Sequence, residues 1–213
     1  MNKKYKIGLI ILVLILISLV IYGIISVSNN SNKSKGQIEQ LDFIKEYGYT
    51  LDKRDTKIMK EKFKELKEVL KSDSVNYEEY AKLLSSLYVI DLFTLTNKVN
   101  KYDTPSLEYI LEENRENFSN NVSDTIYKYI IDNSDKKRKQ ELPEVTNVKV
   151  KELEEIKYEY NEIEYDGYKV DLEWNYKEDF GYDKKAMIRL IKNNNKLFVV
   201  GYEPSEVSNE ENN

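Results

Sequence analysis

Residues 7–27 (IGLIILVLILISLVIYGIISV) run for 21 positions without a charged side chain, close to the ~20 residues that carry a helix across a ~30 Å hydrocarbon core. Lys3, Lys4 and Lys6 stand before this run and no acidic residue accompanies them. That bias keeps the positive end inside and passes the rest of the chain outward. The expectation is a single-pass signal-anchor in the plasma membrane, with a cytoplasmic tail at 1–6, a transmembrane helix at 7–27 and everything beyond it outside. The rival is a secreted protein whose signal peptide is cleaved. An apolar run longer than the ~7–15 residues of a signal peptide and the lack of an Ala-x-Ala site argue against cleavage, although Ser26 and Ser28 are small.

The 213-residue chain has neither cysteine nor histidine. Disulfides, thiolate nucleophiles, zinc fingers and histidine-based catalytic pairs are thereby excluded. Removing the three lysines of residues 1–6 from the formal net charge of −5 leaves −8 for the rest. An acidic exterior disfavours nucleic acid as a partner. No cofactor, metal or catalytic signature stands out, so the expectation is a protein without enzymatic activity. The bias toward Lys, Asn, Ile and Tyr resembles that of low-GC bacteria.

Residues 28–36 (SNNSNKSKG) read as a flexible tether. From 37 to 132 the apolar spacing is helical. Leu41, Ile44 and Tyr47 to Tyr49 predict a short first helix closed near Gly48, and 52–71 an amphipathic helix with Ile58, Met59, Phe63, Leu66, Val69 and Leu70 on one face. Residues 76–100 are apolar around most of their circumference, which predicts a central buried helix. Thr104 as N-cap and Pro105 at the first helical position predict a fourth helix running on to 132. After the polar loop 133–141 the period becomes two, as in Val170, Leu172, Trp174 and Tyr176. A bent strand near Val145, strands at 156–165 and 168–177 around an Asp166-Gly167 turn, and strands at 185–192 and 196–202 complete a meander. The predicted domain, 37–203, is α+β: about four helices (37–132) on one face of an antiparallel sheet of about four strands (144–203), followed by an acidic disordered tail at 204–213.

Stretches like Phe43-Ile-Lys-Glu-Tyr-Gly-Tyr49 and Leu87-Tyr-Val-Ile-Asp-Leu-Phe93 make the chain resemble a group of single-pass membrane proteins of Firmicutes, a likeness that implies a location and no activity. In element order alone, 37–204 resembles the nuclear-transport-factor-two-like cone fold, as in the membrane-anchored assembly proteins of type IV secretion and conjugation systems. That resemblance implies a role in assembly. Six residues before the span depart from the secretion proteins and weaken a cytoplasmic docking role.

Asp91 lies within Val89-Ile-Asp-Leu-Phe93 of the most apolar helix, where a carboxylate is costly unless paired or protonated. It is the candidate functional acid, with Tyr88, Tyr102 and Trp174 as lining of the same pocket; the alternative is a structural pair with a nearby cation or hydroxyl. Lys136, Lys137, Arg138 and Lys139 form a basic patch suited to an anionic partner, or simply a solvated loop. Glu152, Glu154, Glu155, Glu159, Glu162 and Glu164 lack the spacing of a calcium loop and read as a charged strand face. The leading expectation is a membrane-tethered interaction or assembly module with a protein partner at the outer face of the membrane and an undetermined oligomeric state. Alternatives are a ligand-binding or catalytic cone using Asp91, and an envelope sensor or inhibitor.

Overall fold

The computed structural model describes residues 39–205. In chain order the elements are β1 (Gln40–Ile44), β2 (Tyr49–Asp52), α1 (Lys57–Leu70), α2 (Tyr77–Phe93), two short 3-10 turns (Leu107–Tyr109 and Glu112–Asn114), α3 (Arg115–Asp124), β3 (Val145–Tyr160), β4 (Ile163–Tyr176), β5 (Lys185–Asn193) and β6 (Lys196–Pro204). The strands form a two-stranded sheet, β1-β2, and a four-stranded antiparallel sheet ordered β3-β4-β5-β6. This corrects the expected architecture of a spanning helix followed by about four helices and one sheet. The described residues hold three α-helices and two sheets, and no helix among them is long and apolar enough to cross a membrane. The span expected at 7–27 lies outside the described residues, as do the tether at 28–36 and the tail from 206.

Where a first helix was expected, the chain makes the β1-β2 hairpin. The amides of Tyr47 and Gly48 donate to the Ile44 carbonyl (3.1 and 2.9 Å), and Gly48 takes the left-handed φ of 70° that closes the turn. Tertiary contacts override the helical spacing. Tyr49 and Leu51 turn inward from β2 and are buried. The Leu197 amide donates to the Tyr80 hydroxyl (3.2 Å), that hydroxyl bonds the Tyr49 hydroxyl, and Tyr49 donates back to the Leu197 carbonyl (3.2 Å). This closed ring of hydrogen bonds joins the hairpin, α2 and β6 in a dry environment, where each bond is strengthened. Lys196 adds a bond from its ammonium to the Tyr47 carbonyl (2.6 Å).

The two central helices follow their sequence pattern. On α1, Met59, Phe63, Leu66 and Leu70 recur on one stripe and are buried, while the lysines and glutamates remain outside. Asn76 caps α2 by accepting from the Glu79 amide (3.1 Å), and α2 is buried around nearly its whole circumference. It packs against α1 and lies across β3, β4 and β6. It stops at Phe93, short of residue 100, because the Leu95 amide turns to the Pro143 carbonyl (2.9 Å).

The fourth helix expected at 104–132 is replaced by two 3-10 turns and the ten-residue α3. Thr104 is not a helix cap; its hydroxyl bonds the Ser119 hydroxyl. Ser106 adopts a φ of 59°, a left-handed conformation that a helix cannot propagate through. Its amide and hydroxyl are drawn instead to Asp91.

In the larger sheet, Val170, Leu172 and Trp174 of β4 point toward the helices, with Ile188 and Leu190 of β5 beside them in the same apolar cluster. The β3-β4 turn falls at Asn161-Glu162, both at positive φ (51° and 63°) between the paired Tyr160 and Ile163. Two such residues match the twist of a tight hairpin. It is not at Asp166-Gly167. Gly167 lies inside β4 opposite Ile191, where an added Cβ would stand 2.2 Å from the Leu190 carbonyl oxygen. Close backbone approach, rather than a turn, explains that glycine. Accordingly, Gly167→Ala should lower the unfolding free energy by about 3 kcal/mol through overpacking. Gly48→Ala, which meets only open space and a left-handed φ, should cost about 1 kcal/mol. Urea melts of both variants check the ranking, and equal midpoints would contradict it.

Candidate functional site

Asp91 stands in the last turn of α2, and the chain after that helix folds back over it. One carboxylate oxygen pairs with the Lys98 ammonium, whose side chain is 4% exposed against 15% for Asp91. The other accepts from the Ser106 amide (2.7 Å) and hydroxyl (3.0 Å). The buried Tyr127 hydroxyl donates to the carbonyls of Asp91 (3.2 Å) and Leu92 (3.0 Å). Both carboxylate oxygens therefore have donors, which is the condition for keeping a charge in such a site.

More carboxylates surround this pair. Asp103 holds the Arg54 guanidinium through both oxygens, one at 2.9 Å, and also accepts from the Val99 amide (2.8 Å). Burial alone would raise the Asp103 pKa, but the Arg54 bond and the Val99 amide outweigh it and hold the group below the usual carboxylate range. Asp55 accepts from the Asp52 amide (2.7 Å). Glu108 faces the Thr50 amide and hydroxyl (3.5 and 3.3 Å). For these two, desolvation wins: burial first, then the Asp91 charge, pushes Glu108 up to about 7 and Asp55 up to about 6. The Tyr109 hydroxyl is wholly buried and has no partner, and its pKa is raised well above normal by burial and then by Glu108, Asp91 and Asp55. Among the described residues no group of three potential ligands is gathered closely enough to hold a metal ion.

The expected pocket residues are not brought together. Tyr88 is buried against Phe118 (ring centroids 6.2 Å). Trp174 stacks on Phe93 (5.2 Å) and donates to the Tyr176 hydroxyl (2.9 Å), so it is a core aromatic of the sheet. Tyr102 is 71% exposed on the surface. The glutamates from 152 to 164 lie along the β3-β4 hairpin, every one of them exposed.

The basic run divides by role. Arg138 is a staple: its guanidinium donates to the carbonyls of Lys98 (2.9 Å), Ile131 (3.1 Å) and Thr96 (3.1 Å). Lys136, Lys137 and Lys139 remain exposed. The Asn133 amide donates to the Val99 carbonyl (2.8 Å), and the Asn100 amide group to the Asp132 carboxylate (3.0 Å). Two loops, 94–106 and 128–140, are thereby laced side by side. Their surface carries Tyr102, Tyr129 and Ile131, at 71%, 77% and 60% exposure. Lys101 sits over the Tyr102 ring (4.8 Å) and Lys128 over the Tyr129 ring (5.3 Å).

Sequence reasoning missed Arg54, Lys98, Asp103 and Glu108. One signal was present for Lys98: it lies seven residues after Asp91, on the same face had the helix continued. No family model, curated protein or solved structure matches the chain, so function is argued from these contacts.

Two outcomes follow from the cluster. Lys98→Met leaves the Asp91 charge buried without its cation and should cost about 3–5 kcal/mol, whereas the double change with Asp91→Asn should recover much of it. Chemical unfolding of both variants is the check, and equal losses would contradict the pairing. For Glu108 the folded pKa exceeds the unfolded one, so its proton stabilises the fold at low pH and that contribution is lost as pH rises through about 7. Glu108→Gln keeps the acceptor for Thr50 and removes the titration. Its melting temperature should match the parent near about pH 4 and exceed it near about pH 8; a variant less stable at the higher pH would refute the assignment.

Proposed function

We propose that this protein is a non-catalytic interaction module, tethered at the outer face of a bacterial membrane through its apolar segment 7–27, with the laced loops 94–106 and 128–140 as its docking face. The observation that carries the reading is the exposure of Tyr102, Tyr129 and Ile131 on two loops held by backbone and Arg138 hydrogen bonds. Exposed aromatic and aliphatic side chains grouped on a fixed surface are a hallmark of protein contact sites. Tyrosine suits such a face because it offers a large contact area for two side-chain torsions.

Support also comes from the way the one buried acid of α2 is used. Both Asp91 oxygens are occupied by Lys98 and Ser106, and Tyr88, Tyr102 and Trp174 are spread over the core and the surface. A catalytic cone would need a free acid facing a shared cavity. The apolar run of 7–27 and the lysines before it support a place at the membrane with the domain outside.

The test is site-specific photocrosslinking in intact cells with the full chain. A photoreactive residue at Tyr102 or Tyr129 should give a discrete adduct with a protein, and one at Glu203, on the larger sheet, should not. Adducts at neither loop position, or equally at all three, would overturn the reading.

A further inference from the structure

We propose that the docking face takes an acidic protein segment in which carboxylates alternate with apolar side chains; this rests on the interaction-module reading above. Two properties of the face argue for it together. The first is charge. Residues 128–139 carry Lys128, Lys136, Lys137, Arg138 and Lys139 against Asp132 and Asp135, within a chain whose formal net charge is −5. Both carboxylates are engaged within the two loops: Asp132 accepts from Asn100 of the neighbouring loop and from the Ser134 amide (2.8 Å), and Asp135 from the Lys137 amide (3.0 Å). Lys101, Lys128, Lys136 and Lys139 have no carboxylate at ion-pair distance among the described residues. A cationic face on an acidic protein selects anionic partners.

The second property is apolar surface set among those charges. Ile131 is 60% exposed, and the rings of Tyr102 and Tyr129 are more exposed still. A phosphate polymer gains nothing from an isoleucine. A peptide does, because its leucine or phenylalanine side chains can pack on Ile131 and the tyrosine rings while its carboxylates meet the lysines. Lys101 and Lys128 are already held above the two rings, so cation and apolar surface are presented side by side. The loops are fixed before binding by the three carbonyl contacts of Arg138 and by the Asn133 to Val99 bond. Little further ordering is then needed on association.

The experiment is a fluorescence-anisotropy titration of the detergent-solubilised full chain with three probes: a labelled peptide alternating Glu with Leu and Phe, the same peptide with Gln for Glu, and a labelled glycerol-phosphate polymer. The acidic peptide should bind, and the Gln peptide at least about tenfold more weakly, with the acidic complex loosened by added salt. Lys136→Glu with Lys139→Glu, and separately Ile131→Ser, should each weaken binding about tenfold while leaving the melting temperature unchanged, since all three side chains are exposed. Equal binding of the Gln peptide, tighter binding of the polymer that survives Ile131→Ser, or no binding of the acidic peptide would each overturn the inference. Crosslinks at Tyr102 and Tyr129 that persist in any of those cases would leave the interaction module standing with a partner of other chemistry; their loss as well would remove both.

Discussion

A carboxylate placed near the end of a helix that is otherwise wrapped in apolar contacts cannot be left to itself. In α2 the side chains from Tyr80 to Phe93 are buried on nearly every face, and Asp91 is the one charged residue in the last two turns. Removing a charge from water without compensation costs several kcal/mol, and the surrounding chain is arranged to prevent it. Residue 98 returns as the cation, Ser106 supplies an amide and a hydroxyl, and the segment between them has to fold back over the helix end. Arg54 and Asp103 then close that segment against the β1-β2 hairpin. The polar cluster is a consequence of one buried acid, and it fixes the position of the loop whose outer side is exposed.

The same requirement explains what the sequence could and could not disclose. The stripe of Met59, Phe63, Leu66 and Leu70 and the all-round burial of α2 follow from apolar periodicity and are found as expected. So do the strands ending at Tyr176 and beginning at Lys185 and Lys196, and the β5-β6 turn, where Asn194 has a φ of 55°. The segment after Pro105 could not be read that way. Thr104, Pro105 and the spacing of Leu107, Ile110 and Leu111 make a good local helix signal, and a long-range bond from Ser106 to Asp91 overrules it. Local propensity amounts to a few tenths of a kcal/mol per residue, less than the cost of an unpaired buried carboxylate.

Two other departures have the same origin in contacts distant along the chain. Leu41, Ile44, Tyr47 and Tyr49 fit a helical face as well as a pair of short strands, and what decides between them is the ring of bonds linking Tyr49, Tyr80 and Leu197. Residue 197 is 148 positions from Tyr49. Gly167 follows an aspartate and so imitates a hairpin turn. Its conformation is instead set by the Leu190 carbonyl of the neighbouring strand. Of the candidate site residues, Asp91 was legible because a lone acid in an apolar helix is anomalous by itself. Tyr88 and Trp174 were not, because burial of an aromatic ring says nothing about which cavity it borders. In the basic run, only geometry separates Arg138, spent on three carbonyls, from the lysines that remain at the surface.

The inner and outer sides of loop 94–106 are coupled by this construction. Lys98 gives its ammonium to Asp91 and its carbonyl to Arg138, so one residue belongs both to the buried ion pair and to the staple of the exposed face. Glu108, two residues beyond Ser106, carries its proton at a pKa of about 7 because burial and the Asp91 charge disfavour its ionised form. Ionisation of Glu108 adds a negative charge to a cluster that already holds more carboxylates than cations, at the point where Thr50 joins the hairpin to the 3-10 turn. Through Lys98, the interactions that neutralise Asp91 also hold the loop on which Tyr102 is presented.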